Sequence, residues 1–147
     1  KMYLGGMLHD IGSLILFKES PEEAKKILLR CKESGESLFK VEKEVLGYDH
    51  AEVGALLLTE WKLPERLVEM VKYHHRPASA GDYLKETCII ARADALVYEM
   101  KIGNSGETGV PELNPGVSEV IQMSNEEIEG LKVEIAAQID DTVRMFF

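Results

Sequence analysis

The chain has 147 residues, 26 of them acidic and 17 basic, and a formal net charge of −9. With 45% apolar and 29% charged residues it has the composition of a folded globular domain, not of a disordered chain. No apolar run approaches the ~20 residues of a membrane span, and the acidic balance without a basic block speaks against nucleic-acid binding.

Residues 2–9 read as a helix rich in Met and Leu, loosened by Gly5 and Gly6. Polar residues follow too soon for a signal peptide. The first residue, Lys1, falls in the middle of an apolar helical pattern, so upstream helices are expected in the natural protein. A face made of Tyr3, Leu4, Met7 and Leu8 is then expected to be exposed or to drive association. Gly12 marks a bend, and Ile11, Leu14, Ile15, Leu16 and Phe17 form a second short helix. Ser20-Pro21-Glu22-Glu23 reads as a helix start with a Ser cap, Pro in the first turn and Glu at the capping-box position. That helix runs to about Lys32, and another spans roughly 37–46 and stops at Gly47.

Asp49, with Glu52 three residues on, caps the next helix, whose packed face is Ala51, Gly54, Ala55 and Leu58. Trp61 is expected to fill a gap in the core, and Pro64 to break the helix from the next one at about 65–75. The face of that next helix is Leu67, Val68, Val71 and His75. A long helix is predicted from about Asp82 to Ile102, then a Gly- and Pro-rich loop over 103–116 and a short helix at 117–123. Ser124 and Glu127 open the last helix, with the stripe Ile128, Leu131, Ile135, Ile139 and Val143. No period-2 strand pattern and no repeat is present. The fold class is all-α, a compact multi-helix bundle in one domain. Cys31 and Cys88 are far apart and form no CxxC pair, so both read as reduced buried thiols of a cytoplasmic protein.

The chain carries four histidines, His9, His50, His74 and His75. Each lies beside a helix end or another polar group, and Asp94 is embedded in the apolar run from Ile89 to Val97. A carboxylate there needs a partner. Imidazole and carboxylate together are the donor set for divalent Fe, Mn or Zn. A carboxylate can bridge two ions in a centre suited to phosphate-ester hydrolysis. Each residue alone has a plainer reading: packed rings or helix-end residues for the histidines, and for Asp94 a salt bridge to Arg92 or Lys101 or a surface position on an amphipathic helix.

The segment from Gly5 to Gly12, with Leu8-His9-Asp10-Ile11-Gly12 at its end, resembles the "LHDIG" motif of the HD superfamily. Leu46-Gly47-Tyr48-Asp49-His50-Ala51-Glu52-Val53-Gly54, Trp61-Lys62-Leu63-Pro64, His74-His75 and Ala93-Asp94-Ala95-Leu96 follow in order. Together they narrow the resemblance to the HDOD domain, a signalling branch related to HD-GYP proteins. The likeness covers residues 4–98 closely, so 1–147 is expected to be the C-terminal major part of an HD-type helical domain. It implies that His9, Asp10, His50, His74, His75 and Asp94 hold a divalent metal, with Asp10 bridging. It also implies a regulatory, non-catalytic module that contacts other signalling domains or proteins, the alternative being a metal-dependent phosphohydrolase. No catalytic residue follows from the likeness. HD-GYP enzymes carry Lys after the HDxG turn and Glu after the double His, where this chain has Ser13 and Arg76. The resemblance also implies a first metal-binding His on a helix well upstream of His9, so these residues are not expected to form the complete shell.

Overall fold

The computed structural model describes residues 2–103 and 113–146. In chain order the helices are α1 (Met2–Leu8), α2 (Ile11–Glu19), α3 (Pro21–Ser34), α4 (Leu38–Leu46), α5 (His50–Glu60) and α6 (Glu65–Tyr73). Two 3-10 turns (Pro77–Ser79 and Gly81–Tyr83) lead into α7 (Leu84–Glu99), and α8 (Pro115–Val120) and α9 (Asn125–Phe146) complete the fold. No strand occurs among the described residues. The fold is the all-α bundle that the sequence pattern implies.

The centre of the bundle is α5, packed between α2 and α6, with α7 lying across α6 and α1. Leu58, Leu67, Met70, Val71 and Ile90 form the main core, closed by Met2, Leu8, Leu63 and Val68. A second cluster, Ile27, Cys31, Leu38 and Val41, joins α3 to α4. Both cysteines are buried, and neither forms a disulfide among the described residues.

Two glycines set the tightest crossing. A Cβ on Gly12 would stand 1.9 Å from the His50 carbonyl oxygen, and Gly54 faces Gly12 from α5. Small residues here bring α2 against the first turn of α5.

Local chemistry explains most boundaries. The Asp49 carboxylate accepts from the Glu52 N–H while Glu52 accepts from the Asp49 N–H, a complete capping box at the start of α5. Ser124 and Glu127 make the same reciprocal pair before α9. Pro64 separates α5 from α6 as expected.

Five expectations are corrected. Ser20 makes no side-chain cap bond, because the same residue closes α2 by donating its N–H to Leu16. Trp61 is 57% exposed and fills no core gap, because α5 stops at Glu60 and Lys62 adopts a left-handed φ of 57° that turns the chain. The helix expected over 65–75 ends at Tyr73, leaving both His74 and His75 beyond its last full turn. The long helix begins at Leu84, not Asp82, after the 3-10 turns. The stripe of α9 is covered only in part, since Leu131, Ile139 and Val143 remain exposed. The expected loop over 103–116 lies mostly outside the described residues, and its last two residues already belong to α8. The expected apolar face on α1 is present, with Tyr3, Leu4 and Met7 exposed, while Leu8 packs on the core. No described helix is long and apolar enough to cross a membrane.

Candidate metal centre

Five helices deliver the six residues to one place. His9 and Asp10 fill the corner between α1 and α2, where Asp10 is the N-cap residue of α2. His50 opens α5, held by the Asp49 capping box. His74 and His75 follow α6, and Asp94 comes from the middle of α7. Donor atoms of Asp10, His50, His74 and His75 lie within 4.8 Å of one another, as do those of His9, Asp10 and Asp94.

Asp10 stands between the two groups. Its Oδ1 is 3.3 Å from His50 Nε2 and 3.5 Å from His74 Nε2. Its Oδ2 is 3.3 Å from His9 Nε2, which is 3.5 Å from Asp94 Oδ1. His75 Nε2 completes the first group, 2.8 Å from His50 Nε2.

Three rings share one anchoring pattern. His9 Nδ1 lies 2.8 Å from the Gly6 carbonyl, His74 Nδ1 2.7 Å from the Val71 carbonyl, and His50 Nδ1 2.6 Å from the Glu42 carboxylate. Each acceptor requires the proton on Nδ1, which leaves Nε2 as the atom presented to Asp10. Among the described residues, Nε2 of His9 and of His74 is buried and makes no well-formed hydrogen bond, only the longer contacts to Asp10 and Asp94. Such orphaned polar atoms are costly unless a ligand satisfies them.

The charges agree with the geometry. Burial alone would lower the His9 and His50 pKa values. The carboxylates of Asp10 and Asp94 around His9, and of Asp10 and Glu42 around His50, outweigh it and raise both to about 10. Burial would likewise raise Asp10, but the rings of His50, His74 and His9 hold its carboxyl far below the usual range. His75 is pushed well below its ordinary value by burial and by the neighbouring His74 and His50. The cluster thus attracts positive charge at two places, one on each side of Asp10. Two nitrogen or oxygen donors of one ion, each ~2.0–2.2 Å from it, stand about 3–4 Å apart, so the observed spacings suit a divalent cation. The residues present therefore fit a metal.

Three contributors were not anticipated from the sequence. Glu42, on α4, is only 1% exposed and accepts from both the backbone N–H and Nδ1 of His50. Phe39 stacks on His75 at 4.4 Å between ring centroids and 11° between planes. Arg76 ties the turn after α6 to the start of α5, 3.3 Å from Asp49 and 3.7 Å from Glu52. Glu42 had a visible signal, a carboxylate adjoining the apolar positions Leu38 and Val41 of one helix face.

Comparison with known proteins bears on the family and the fold. A family profile for the HDOD domain matches residues 1–77, just over half of the chain. The chain belongs to the HDOD family. A solved HDOD domain protein of unknown function from Geobacter sulfurreducens shares the fold at a TM-score of 0.72 and 23% identity. The alignment covers 95% of this chain and 50% of that one. A structure from Shewanella amazonensis, provisionally named a phosphohydrolase, aligns at a TM-score of 0.68 and 29% identity, covering 92% of this chain and 49% of that one. An uncharacterised protein of Treponema pallidum (strain Nichols) is 26% identical over 96 residues, 65% of this chain and 19% of that protein. The HDOD chain thus spans about half the length of the solved structures and about a fifth of the Treponema protein.

Proposed function

We propose that this HDOD domain is a cytoplasmic signalling module built around a divalent-metal centre, held by His9, Asp10, His50, His74, His75 and Asp94. The observation that carries this reading is the shared Nδ1 anchoring of three rings, which turns their Nε2 atoms on one carboxylate and, among the described residues, leaves two of them buried without a well-formed hydrogen bond. Asp10 offers one oxygen to each side, which is the arrangement a bridging carboxylate needs. The first group, with three imidazoles and one carboxylate oxygen, suits Zn, Fe or other borderline ions. The second, with one imidazole and two carboxylates, leans toward harder ions such as Mn.

The regulatory side of the reading rests on the two departures from HD-GYP enzymes. Ser13 stands where those carry Lys. Arg76 stands where they carry Glu, and its guanidinium is occupied by Asp49 and Glu52. Partners are then other signalling domains or proteins, contacted through surfaces outside the cluster. The competing reading is a metal-dependent phosphohydrolase, favoured by the half-exposed Asp10 carboxylate, which gives an anionic ligand access to the cluster, and by the Shewanella neighbour. A bound divalent ion would supply Lewis acidity for phosphoester chemistry. This chain's own contribution would be to hold Asp10 ionised and to keep the Nε2 atoms oriented.

The test is metal analysis of protein purified without chelator, followed by titration with Mn²⁺ and Zn²⁺ and an assay on a model phosphodiester. Tight binding without turnover is expected. Turnover that follows metal content would transfer the conclusion to the hydrolase, and absence of binding would refute the metal centre.

A further inference from the structure

We propose that Glu42 is a positioning residue for the His50 side of this centre, its buried carboxylate locking the His50 ring so that only Nε2 faces Asp10. This role rests on the metal-centre reading for its consequence, since a locked Nε2 matters most if it holds an ion. The lock itself stands on geometry alone.

One oxygen carries it. Glu42 Oε2 accepts from the His50 backbone N–H at 2.9 Å and from His50 Nδ1 at 2.6 Å. The main-chain bond fixes where the oxygen stands relative to the His50 backbone. The ring bond then fixes the ring relative to the oxygen. A side chain held at two points in this way has no free rotation about χ1 or χ2, and its far edge is aimed between Asp10 at 3.3 Å and His75 at 2.8 Å.

Helix capping does not account for the carboxylate. The start of α5 already has a complete capping box from Asp49 and Glu52. Packing does not account for it either. Glu42 adjoins Leu38 and Val41, both buried in the α3–α4 cluster, where an apolar side chain would avoid the cost of placing a carboxylate out of water. The two other anchored rings, His9 and His74, use main-chain carbonyls three residues away within their own helical segment. His50 alone is anchored by a carboxylate, brought from a different helix. A carboxylate behind a ligand imidazole both orients the ring and increases its donor strength, and loss of such a partner weakens metal affinity by about 10–100-fold.

The experiment compares the full chain with its Glu42→Gln and Glu42→Ala variants, using Glu44→Gln as the control. Glu44 sits on the same helix, pairs with Arg30 at the surface and removes the same charge. Zn²⁺ and Mn²⁺ affinities are measured by calorimetry, with far-UV circular dichroism of the metal-free proteins to confirm folding. Proton NMR of the metal-free proteins follows the deshielded Nδ1–H of His50. The expected result is a loss of about 10–100-fold in affinity for the first ion bound and loss or strong upfield movement of the Nδ1–H resonance. Both effects should appear in Glu42→Gln with its helical spectrum intact, and neither in Glu44→Gln. Wild-type affinity together with an unmoved resonance in Glu42→Gln would overturn the proposal, whatever Glu42→Ala does to folding. A wild type that binds neither ion would refute the metal centre and not the lock. The resonance then decides by itself: its loss in Glu42→Gln supports the lock, and its persistence overturns it.

Discussion

Replacing Gly12 by Ala tests whether the close crossing of α2 and α5 is what assembles the cluster. The added Cβ would lie 1.9 Å from the His50 carbonyl oxygen, 2.9 Å from its carbonyl carbon and 2.7 Å from the Gly54 nitrogen. All three are main-chain atoms inside or beside a helix, so no side chain can swing away to make room. A carbon–oxygen contact settles near 3.3 Å, so the helices must separate by roughly 1.4 Å or the first turn of one must unwind. Overpacking of this kind costs about 1–3 kcal/mol, and the upper end applies because only backbone can yield. For a chain of this size that is a fall in melting temperature of roughly 6–12 °C. The same separation moves Asp10, the N-cap of α2, away from His50, the first residue of α5. Metal sites tolerate only about 0.2 Å of error in their donor distances, so binding at the His50 side should vanish even where the protein stays folded. The assay is a melt of each variant with and without Zn²⁺. Two controls bracket it. For Gly54→Ala the nearest atoms are Val71 Cγ1 at 3.0 Å, Ile11 Cγ2 at 3.3 Å and Gly12 N at 3.4 Å, so it should cost less. Gly6→Ala meets nothing within 4 Å inside α1 and should stabilise by about 0.5–1 kcal/mol. A Gly12→Ala protein that melts like wild type and keeps its metal response would refute the argument.

The helices were legible because most of their ends carry local chemistry. Asp49 with Glu52, Ser124 with Glu127, and Pro64 each act within a few residues of sequence, and all three form as read. The misses have longer-range causes. Ser20 shows the letters of a capping box, but it also has to close α2, and one residue cannot adopt both geometries. Trp61 falls in register with Gly54 and Leu58, yet the helix ends one residue too early for that register to count. The cluster was legible in its donors, because the residue types and their order follow a recognisable family motif. Its supports were not. Glu42 and Phe39 matter only through contacts made across 8 and 36 residues of sequence, to His50 and His75. Nothing in a one-dimensional pattern distinguishes a Glu on the solvent face of α4 from one turned inward, apart from its adjacency to Leu38 and Val41. The role of Gly12 was only half visible as a bend. Its main effect is to let two backbones touch, which no local propensity encodes.

Three further outcomes are expected. On the proposed metal reading, Mn²⁺ or Zn²⁺ should raise the melting temperature of wild type, by the equivalent of about 2.7 kcal/mol at a hundredfold excess over the dissociation constant, and Asp10→Ala should remove that rise; equal rises in both proteins would exclude Asp10 as a ligand. Trp61→Ala should change stability by no more than about 0.5 kcal/mol because the ring is exposed, whereas Leu58→Ala, fully buried, should cost about 2–5 kcal/mol; urea melts of the pair would expose an error in either burial. The last outcome concerns pH, and its sign follows from the individual groups. His9 and His50 are raised from 6.5 to about 10 in the fold, so the stability their protonation contributes is full below about pH 6.5 and is lost as pH climbs toward 10. His75 is depressed, so the fold keeps it neutral and stability falls as pH drops below 6.5. Asp10 is depressed as well and adds a further loss once pH falls below its ordinary value of 3.8. Metal-free protein in chelator should therefore be most stable near pH 6.5, with the steeper decline on the alkaline side, where the fold holds two protons that the unfolded chain has released, against one that it excludes on the acid side. Under the proposed metal reading, an added ion should reverse the alkaline limb. An ion competes with those same two protons for Nε2 of His9 and His50, so the gain in melting temperature from a fixed Zn²⁺ or Mn²⁺ concentration should grow from pH 6 to pH 9. A metal gain that stays constant across that range would mean that the ion binds away from both rings.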